Sequence, residues 1–334
     1  MAKKKILHIQ VFPKLSGVQK ISLEILKALP NEEFEKHILF CKNSDCGDQS
    51  ECIRAFENAG VKVMFSKHLK REIGFQDIPA YFEIYHLCRR EEYDIVHTNS
   101  TKPGIVGRLA AYCARVPHVI HTVHGLAFHS LIKFPYWHFY YGCEMFASLF
   151  CHKIAIVNSF YTKYFKWCKS KVMTIYNGSD FSKFPSLPLH RSNDENVTIL
   201  FVGRLDIPKN PMGLLEAAKR IHDIYPNVKF KLVGDGEFME DCKHFISSNG
   251  LQSTVSLEGW QTNVYRYYAE SDIFAVPSLY EAFGLMFLEC GFYELPVCST
   301  TVEGVPEVIS NGETGLLCEP NNIEKFTDNI ISLI

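Results

Sequence analysis

No apolar run in the 334-residue sequence approaches the roughly 18–20 residues of a membrane-spanning helix, so no segment is expected to cross a bilayer. Nor does the N-terminus read as a secretory signal. Three lysines open it, but His8, Gln10 and Pro13 interrupt the apolar stretch that would have to follow. The 12 cysteines form no C-x-x-C pair, and Cys113, Cys143, Cys290 and Cys298 lie inside apolar segments. Buried free thiols in a reducing, cytoplasmic compartment are expected, with no structural metal. The glycines exclude two further classes. No G-x-G-x-x-G follows the first strand, Val233-Gly234-Asp235-Gly236 lacks the third glycine, and no G-x-x-x-x-G-K-[ST] occurs. A nicotinamide-dependent enzyme and a P-loop ATPase are set aside.

What remains is globular in composition, 47% hydrophobic and 22% charged, which excludes a disordered chain. The length is enough for about two domains. A net charge of −2 conceals an asymmetry: residues 1–180 carry 24 Lys+Arg against 16 Asp+Glu, and residues 181–334 carry 11 against 21. The basic half favours phosphates or membrane headgroups, although surface charge sorted without function gives the same pattern.

Short apolar runs alternate with helical patterns along both halves. Strands are expected at Ile6–Phe12, His37–Cys41, Val61–Phe65, Asp94–Thr98, Val119–His124, Lys153–Asn158 and Val172–Tyr176. Helical spacing separates them, as in Val18, Ile21, Ile25 and Leu29, and over Ile78–Arg90 and Ile105–Ala114. Residues 181–196, with Pro185, Pro188, Ser192, Asn193 and Asp194, read as a linker. Alternation then resumes with strands Val197–Val202, Lys229–Val233, Val255–Leu257, Ile273–Val276, Pro296–Ser299 and Gly315–Cys318. Helices are expected over Pro211–Ile224, Glu237–Ser247 and Phe283–Phe292. The expected fold is α/β: two tandem Rossmann-like domains, 1–180 and 197–334, facing across a cleft. The last segment, Ile323–Ile334, is helical in pattern and stops without a cap, so further chain is expected beyond it.

In open α/β sheets ligands bind beyond the carboxyl ends of the strands. There the second half offers Gly203-Arg204-Leu205 and Lys209, a glycine turn followed by two cations, which suits a pyrophosphate. A solvated surface pair is the alternative. The stretch from Ser278 to Glu289 follows a strand and enters a helix. Glu281 sits in the intervening loop, Gly284 permits close backbone approach, and the first-turn amides favour an anion. Glu289 lies farther into the helix, where a carboxylate accepts from ribose hydroxyls. Two surface carboxylates flanking an amphipathic helix fit the same pattern. In the first half, His121-Thr122-Val123-His124-Gly125 ends a strand, so His124 faces the ligand side, while His121 alternates to the other face as a core residue.

This Glu-x7-Glu segment, with Arg204, Lys209 and Val233-Gly234-Asp235-Gly236 upstream, resembles the retaining glycosyltransferases of family 4, which have the two-domain B-type fold. The resemblance covers nearly the whole chain. It implies transfer of a hexose or N-acetylhexosamine from a nucleotide sugar, best a UDP-sugar, with retention of configuration and without a required metal or cofactor. By resemblance Arg204 and Lys209 stabilise the leaving diphosphate, Glu289 binds the ribose and Glu281 lies near the donor sugar. Phe283, Gly284 and Leu285 offer backbone amides, Gly234 lines the donor site, and Trp260 follows Gly259 in the base-contacting loop. His124 matches the histidine beside the donor sugar. Ser16-Gly17-Val18-Gln19 matches the family's glycine loop, with Gly17 kept and Ser16 in place of the usual first glycine.

Residues 126–150 hold nine aromatics, among them Phe128, Phe134, Tyr136, Trp137, Phe139 and Phe146, interleaved with His129, Lys133 and His138. Aromatics beside cations suit a membrane interface, and an aromatic-rich core helix fits equally. If the membrane reading holds, the acceptor is a lipid-linked sugar and the protein works at the inner face of the cytoplasmic membrane. The wording Thr-Val-His-Gly-Leu-Ala-Phe-His is similar to bacterial enzymes of capsule, O-antigen and exopolysaccharide synthesis. No nucleic-acid partner is expected. A nucleotide-sugar epimerase of the same fold is the alternative, separable by the absence of any acceptor. A silent binding subunit is disfavoured, because Arg204, Lys209, Glu281 and Glu289 are all retained.

Overall fold

The computed structural model describes residues 3–41, 49–70, 74–189 and 196–334. The chain divides into two compact units, Met1–Asn177 and Gly178–Ile334.

Unit 1 runs β1 (Lys4–Ile9), α1 (Gly17–Ala28), β2 (Phe34–Cys41), α2 (Ser50–Asn58), β3 (Val61–Ser66), α3 (Asp77–Glu91), β4 (Ile95–Asn99), α4 (Thr101–Cys113), β5 (His118–Val123), α5 (Tyr136–Ala147), β6 (Lys153–Ile156) and β7 (Val172–Thr174). Its seven strands are all parallel, in the order β3-β2-β1-β4-β5-β6-β7. Strands buried on both faces need apolar residues at nearly every position, which is why Ile6–Ile9 and Ile38–Cys41 are uninterrupted except for His8. Right-handed crossovers put α1 and α2 on one face of the sheet and α3, α4 and α5 on the other. The first face is sealed by Leu23 and Leu26 of α1 and Cys52 and Phe56 of α2 against Ile6, Ile38 and Phe40. Lys36, buried at the start of β2, donates its ammonium to the carbonyls of Leu26 and Leu29 at 2.9 and 3.1 Å and so closes the C-terminus of α1.

Unit 2 runs β8 (Thr198–Val202), α6 (Pro211–Ile224), β9 (Lys229–Val233), α7 (Met239–Ser248), β10 (Val255–Gly259), α8 (Tyr265–Ala269), β11 (Ile273–Ala275), α9 (Leu285–Phe292), β12 (Val297–Thr300), β13 (Gly315–Cys318) and α10 (Ile323–Ile331). Its six parallel strands are ordered β10-β9-β8-β11-β12-β13. Phe201, Phe230 and Phe274 from three adjacent strands form the centre of its core with Leu214, Leu215 and Ala218 of α6.

Several boundaries differ from the sequence reading. β1 stops at Ile9 rather than Phe12, because the chain turns away beyond Gln10 toward α1. The segment expected as a linker is in part packed on unit 2: Phe181 stacks on Phe292, Phe184 meets Tyr265, and Pro185 accepts a hydrogen bond from Tyr293 Oη at 2.9 Å. Ser192, Asn193 and Asp194 lie outside the described residues. Cys113 is exposed and Cys143 half-buried, whereas Cys290 and Cys298 are buried. In each sheet the winding reverses at one place, between β1 and β4 in unit 1 and between β8 and β11 in unit 2. A doubly wound sheet opens its ligand crevice at that reversal, past the carboxyl ends of the two strands.

Candidate active site

In unit 2 the reversal point is built from two loops, β8 to α6 and β11 to α9. Leu279 N donates to Pro208 O at 2.8 Å and ties them together. The β8 loop is fixed from behind by the Val233–Gly236 turn, with Gly203 N bonded to Val233 O and Leu205 N to Asp235 O, both at 3.0 Å. Gly234 adopts φ +146°, and a Cβ there would stand 1.8 Å from Gly203 O. The glycine is required because two backbones meet, which gives Gly234 a packing role at this point.

Asp206 organises the cationic loop. It accepts from Lys209 N at 3.2 Å and pairs with Arg204 Nη2 at 2.7 Å. Burial pushes its carboxyl above the usual range, and Arg204 opposes that shift. The Arg204 side chain remains 66% exposed. Lys209 turns inward instead. Its ammonium pairs with Glu281 and lies 3.6 Å from Met286 Sδ in the first turn of α9. The other oxygen of Glu281 accepts from Phe283 N at 3.4 Å. Gly284, at φ +81°, is the residue before the helix, and Leu285 begins it. Helix-start amides lack intrahelical acceptors and point toward the loop. Glu289, just over one turn in, accepts from Tyr268 Oη at 2.6 Å. Tyr268 is fully buried; that burial and then the Glu289 charge hold its hydroxyl well above the ordinary tyrosine pKa. Trp260 follows β10 and is half exposed.

Thus Lys209, Glu281, Phe283, Gly284 and Leu285 converge, with Glu289 on the same helix. Arg204 shares the cationic loop, but its guanidinium is directed to Asp206. An ammonium, helix amides and two carboxylates at one crevice can bind an anion beside hydroxyl groups.

In unit 1 the reversal point holds buried histidines. His8 of β1 and His97 of β4 share a register and a sheet face, with rings 4.5 Å apart and edge-to-face. His97 Nε2 shares a hydrogen bond with Thr122 Oγ1 at 2.7 Å. His124, the residue after β5, donates from Nε2 to Asn99 Oδ1 at 2.9 Å, so the proton sits on Nε2 and Nδ1 is the acceptor. Burial keeps these rings neutral: His97 is held at about 4, and His124 at about 3 with His97 as the second cause. A neutral imidazole donates and accepts, which suits hydroxyl recognition better than charge neutralisation. His121 lies on the opposite face, against Thr98 Oγ1 at 2.9 Å, and is a core residue. Gly17 starts α1 and is exposed. Ser16 Oγ donates to Gln19 Oε1, and Gln19 donates to Phe12 O at 3.0 Å, which closes the loop on itself.

Asn99, His97, Tyr268 and Asp206 are not singled out by the sequence. Asn99 was the most legible of them, since a polar residue closing β4 at the reversal point lies at the ligand end of the sheet, as His124 does after β5.

Residues 15–183 match the profile described as Glycosyltransferase Family 4, and residues 187–334 match Glycosyl transferases group 1. The chain is 34% identical to an Escherichia coli UDP-Gal:alpha-D-GlcNAc-diphosphoundecaprenol alpha-1,3-galactosyltransferase, over 99% of this chain and 88% of that protein. It is 26% identical to the Staphylococcus aureus capsular polysaccharide biosynthesis glycosyltransferase CapM, over 100% of this chain and 88% of that protein. Among solved structures, Anabaena Alr3699/HepE in complex with UDP and glucose superposes with a TM-score of 0.81 at 18% identity, covering 98% of this chain and 89% of that one. That likeness shows the fold: two parallel-sheet α/β units of the glycosyltransferase B-type.

Proposed function

The chain belongs to glycosyltransferase family 4, and from that premise we propose that it transfers a hexose or N-acetylhexosamine from a UDP-sugar, with retention of configuration, to a glycan acceptor carried on a lipid diphosphate. The observation that carries this reading is the convergence of Lys209, Glu281 and the start of α9 at the sheet reversal of unit 2.

The chemistry follows from where charge develops. As the bond between sugar and phosphate lengthens, negative charge grows on the departing diphosphate. Lys209, held by Glu281 beside the start of α9, and the amides of Gly284 and Leu285 are assigned to meet that charge. Arg204, on the same loop, adds a planar fork by exchanging Asp206 for phosphate oxygens. Glu289 accepts from the ribose hydroxyls, held at the right rotamer by Tyr268. Glu281 orients Lys209 and accepts from sugar hydroxyls; it is not assigned as a nucleophile. Trp260 and Gly234 are assigned to nucleotide contact within unit 2, and Gly17 is assigned, by itself, to the ligand side of unit 1. His124, neutral with Nδ1 as acceptor, is assigned to a sugar hydroxyl. Retention is assigned to same-face attack, with the leaving phosphate taking the acceptor's proton.

The galactosyltransferase relative acts on a lipid-linked acceptor by name, which supports a similar acceptor class here. Such an acceptor is presented at a membrane surface, and residues 126–150 have the composition to meet one. A thermal-shift panel of UDP, GDP, ADP and NADH tests the donor site, with Glu289→Ala as control. A ligand at 100 times its dissociation constant stabilises a fold by about 2.7 kcal/mol. The expected result is a shift with UDP that the variant loses. No shift with any nucleoside diphosphate, from folded protein, would remove the assignment.

A further inference from the structure

Three helices of unit 1 turn an unexpected face to solvent. α5 buries Glu144 and Ala147 on its inner side, where Glu144 is gripped by Arg108 of α4 at 2.8 Å. Its outer side carries Tyr136, Phe139 and Phe146, each more than half exposed. α3 repeats the pattern with Ile78 and Phe82 one turn apart, and Phe75 just ahead of the helix is 93% exposed. Between them α4 presents half-buried Ile105 and Leu109 and exposed Tyr112, at the spacing of one helical stripe. The outer faces of α2 and α6 are mainly charged: α2 exposes Glu51, Arg54 and Glu57, and α6 exposes Glu216, Lys219, Arg220 and Asp223, with one exposed apolar side chain, Ile224, at its last position.

The three stripes form one surface. α3 packs on α4 and α4 on α5, over the same face of the sheet. Rings continue across the joint: Tyr112 meets Phe150 at 5.6 Å, and Phe150 meets Phe146 at 5.1 Å. The surface starts at Phe134, 80% exposed, in the loop that leads from His124 into α5.

We infer that the outer face of α3, α4 and α5 is the surface by which this protein lies on an anionic lipid bilayer. Charge selects the occupant. Between residues 126 and 176 the chain has six lysines and a single acid, Glu144, which is buried. Lys133, Lys163, Lys166 and Lys169 are exposed, and Lys163 Nζ lies 3.4 Å over the Phe160 ring. These lysines flank the aromatic face, in the segments just before and after α5, and headgroup phosphates neutralise such a set while the rings enter the interface. Tyr136 and exposed Trp167 have the apolar body and polar tip that suit headgroup depth. Among the described residues no helix is long and apolar enough to cross a membrane, so the contact is interfacial. The inference rests on the lipid-linked acceptor for its purpose and on α3, α4 and α5 for its geometry, and it extends the surface to α3, well outside residues 126–150.

The test is co-sedimentation of the whole chain with empty phosphatidylglycerol or phosphatidylcholine vesicles, without donor or acceptor. The variants are Ile78→Ser/Phe82→Ser on α3, Phe139→Ser/Phe146→Ser on α5 and, as a control, Lys219→Gln/Arg220→Gln on α6. The wild type should bind phosphatidylglycerol and hardly bind phosphatidylcholine. Each aromatic-face pair should weaken partition about tenfold, and the α6 pair should not. Thermal melts confirm folding, and quenching of wild-type tryptophan emission by brominated lipid gives a readout that needs no substitution. Unchanged binding by the α3 pair overturns the three-helix surface, and no binding by the wild type overturns it entirely. A wild-type dimer that either pair dissolves, without vesicle binding, assigns the face to a second copy and also refutes the inference. Sugar transfer to a GlcNAc-diphospho-lipid acceptor held in detergent micelles is scored separately. Transfer without vesicle binding sinks the surface alone, and vesicle binding without transfer sinks the acceptor reading alone.

Discussion

Replacing Arg108 with methionine should destabilise unit 1 far more than any surface change. Arg108 is fully buried in α4, donates from Nε to Gly104 O at 2.8 Å, and holds both oxygens of Glu144 at 2.8 and 3.0 Å. Glu144 is itself buried on the inner side of α5, and His121 Nε2 is 3.8 Å from its carboxylate. Arg108→Met therefore strands a carboxylate in an apolar layer, a loss of about 3–5 kcal/mol. For a unit of this size that is a melting shift of roughly 6–20 °C. The double change Arg108→Met/Glu144→Leu removes both charges and should recover most of the loss, because a buried pair and an apolar pair of similar volume are nearly equivalent in stability. Urea unfolding followed by the emission of Trp137 and Trp167 in a Trp260→Phe background reports unit 1 selectively. A single variant within about 1 kcal/mol of wild type, or a double variant no better than the single, would show that this pair does not fix α5.

Four further outcomes are expected. Arg204→Ala and Lys209→Ala should each lower kcat by roughly 2–4 kcal/mol of barrier while the melting temperature stays near wild type, as steady-state kinetics and calorimetry would show; near-normal turnover in both removes the diphosphate assignment. The stability of unit 1 should fall as pH drops from about 6.5 toward 4, because the unfolded chain takes up protons that the buried histidines refuse. His97, held at about 4 against the usual 6.5, alone contributes about 3 kcal/mol over that window, and His97→Gln should flatten the urea-midpoint profile. Gly234→Ala should lower soluble yield and melting temperature, since its Cβ would meet Gly203 O at 1.8 Å. Extraction of divalent cations with EDTA should leave turnover unchanged, since Lys209, Arg204 and the α9 amides are assigned the charge stabilisation.

The fold was largely legible because a doubly wound sheet writes its strands as short apolar runs, and Thr198–Val202 or Lys229–Val233 can be read almost to the residue. Ends were less legible where the chain turns for tertiary reasons, as at Gln10. The convergence of Lys209 and Glu281 was half legible: the sequence placed each at a strand end, but 72 residues separate them and only the β8–β11 adjacency brings them together. Tyr268 could not be found, because α8 is a five-residue helix with no periodicity to mark it. Residues 126–150 divided between the two readings offered by composition. Phe128 is a core ring packed against Trp137, Tyr141 and Tyr164, whereas Phe134, Tyr136, Phe139 and Phe146 stand in solvent. Composition cannot make that division; the partner of Glu144 does, by fixing which side of α5 faces in.

Sugar transfer with retention from a nucleotide sugar is read directly from the product. The protein is incubated with UDP-galactose, UDP-glucose or UDP-N-acetylglucosamine and a GlcNAc-diphospho-lipid acceptor, and the product's anomeric configuration is read by proton NMR. The expected outcome is a new glycosidic linkage with the α configuration of the donor, released UDP, and no change in donor stereochemistry when acceptor is withheld. A β-linked product, or a UDP-sugar epimerised without acceptor, would contradict it.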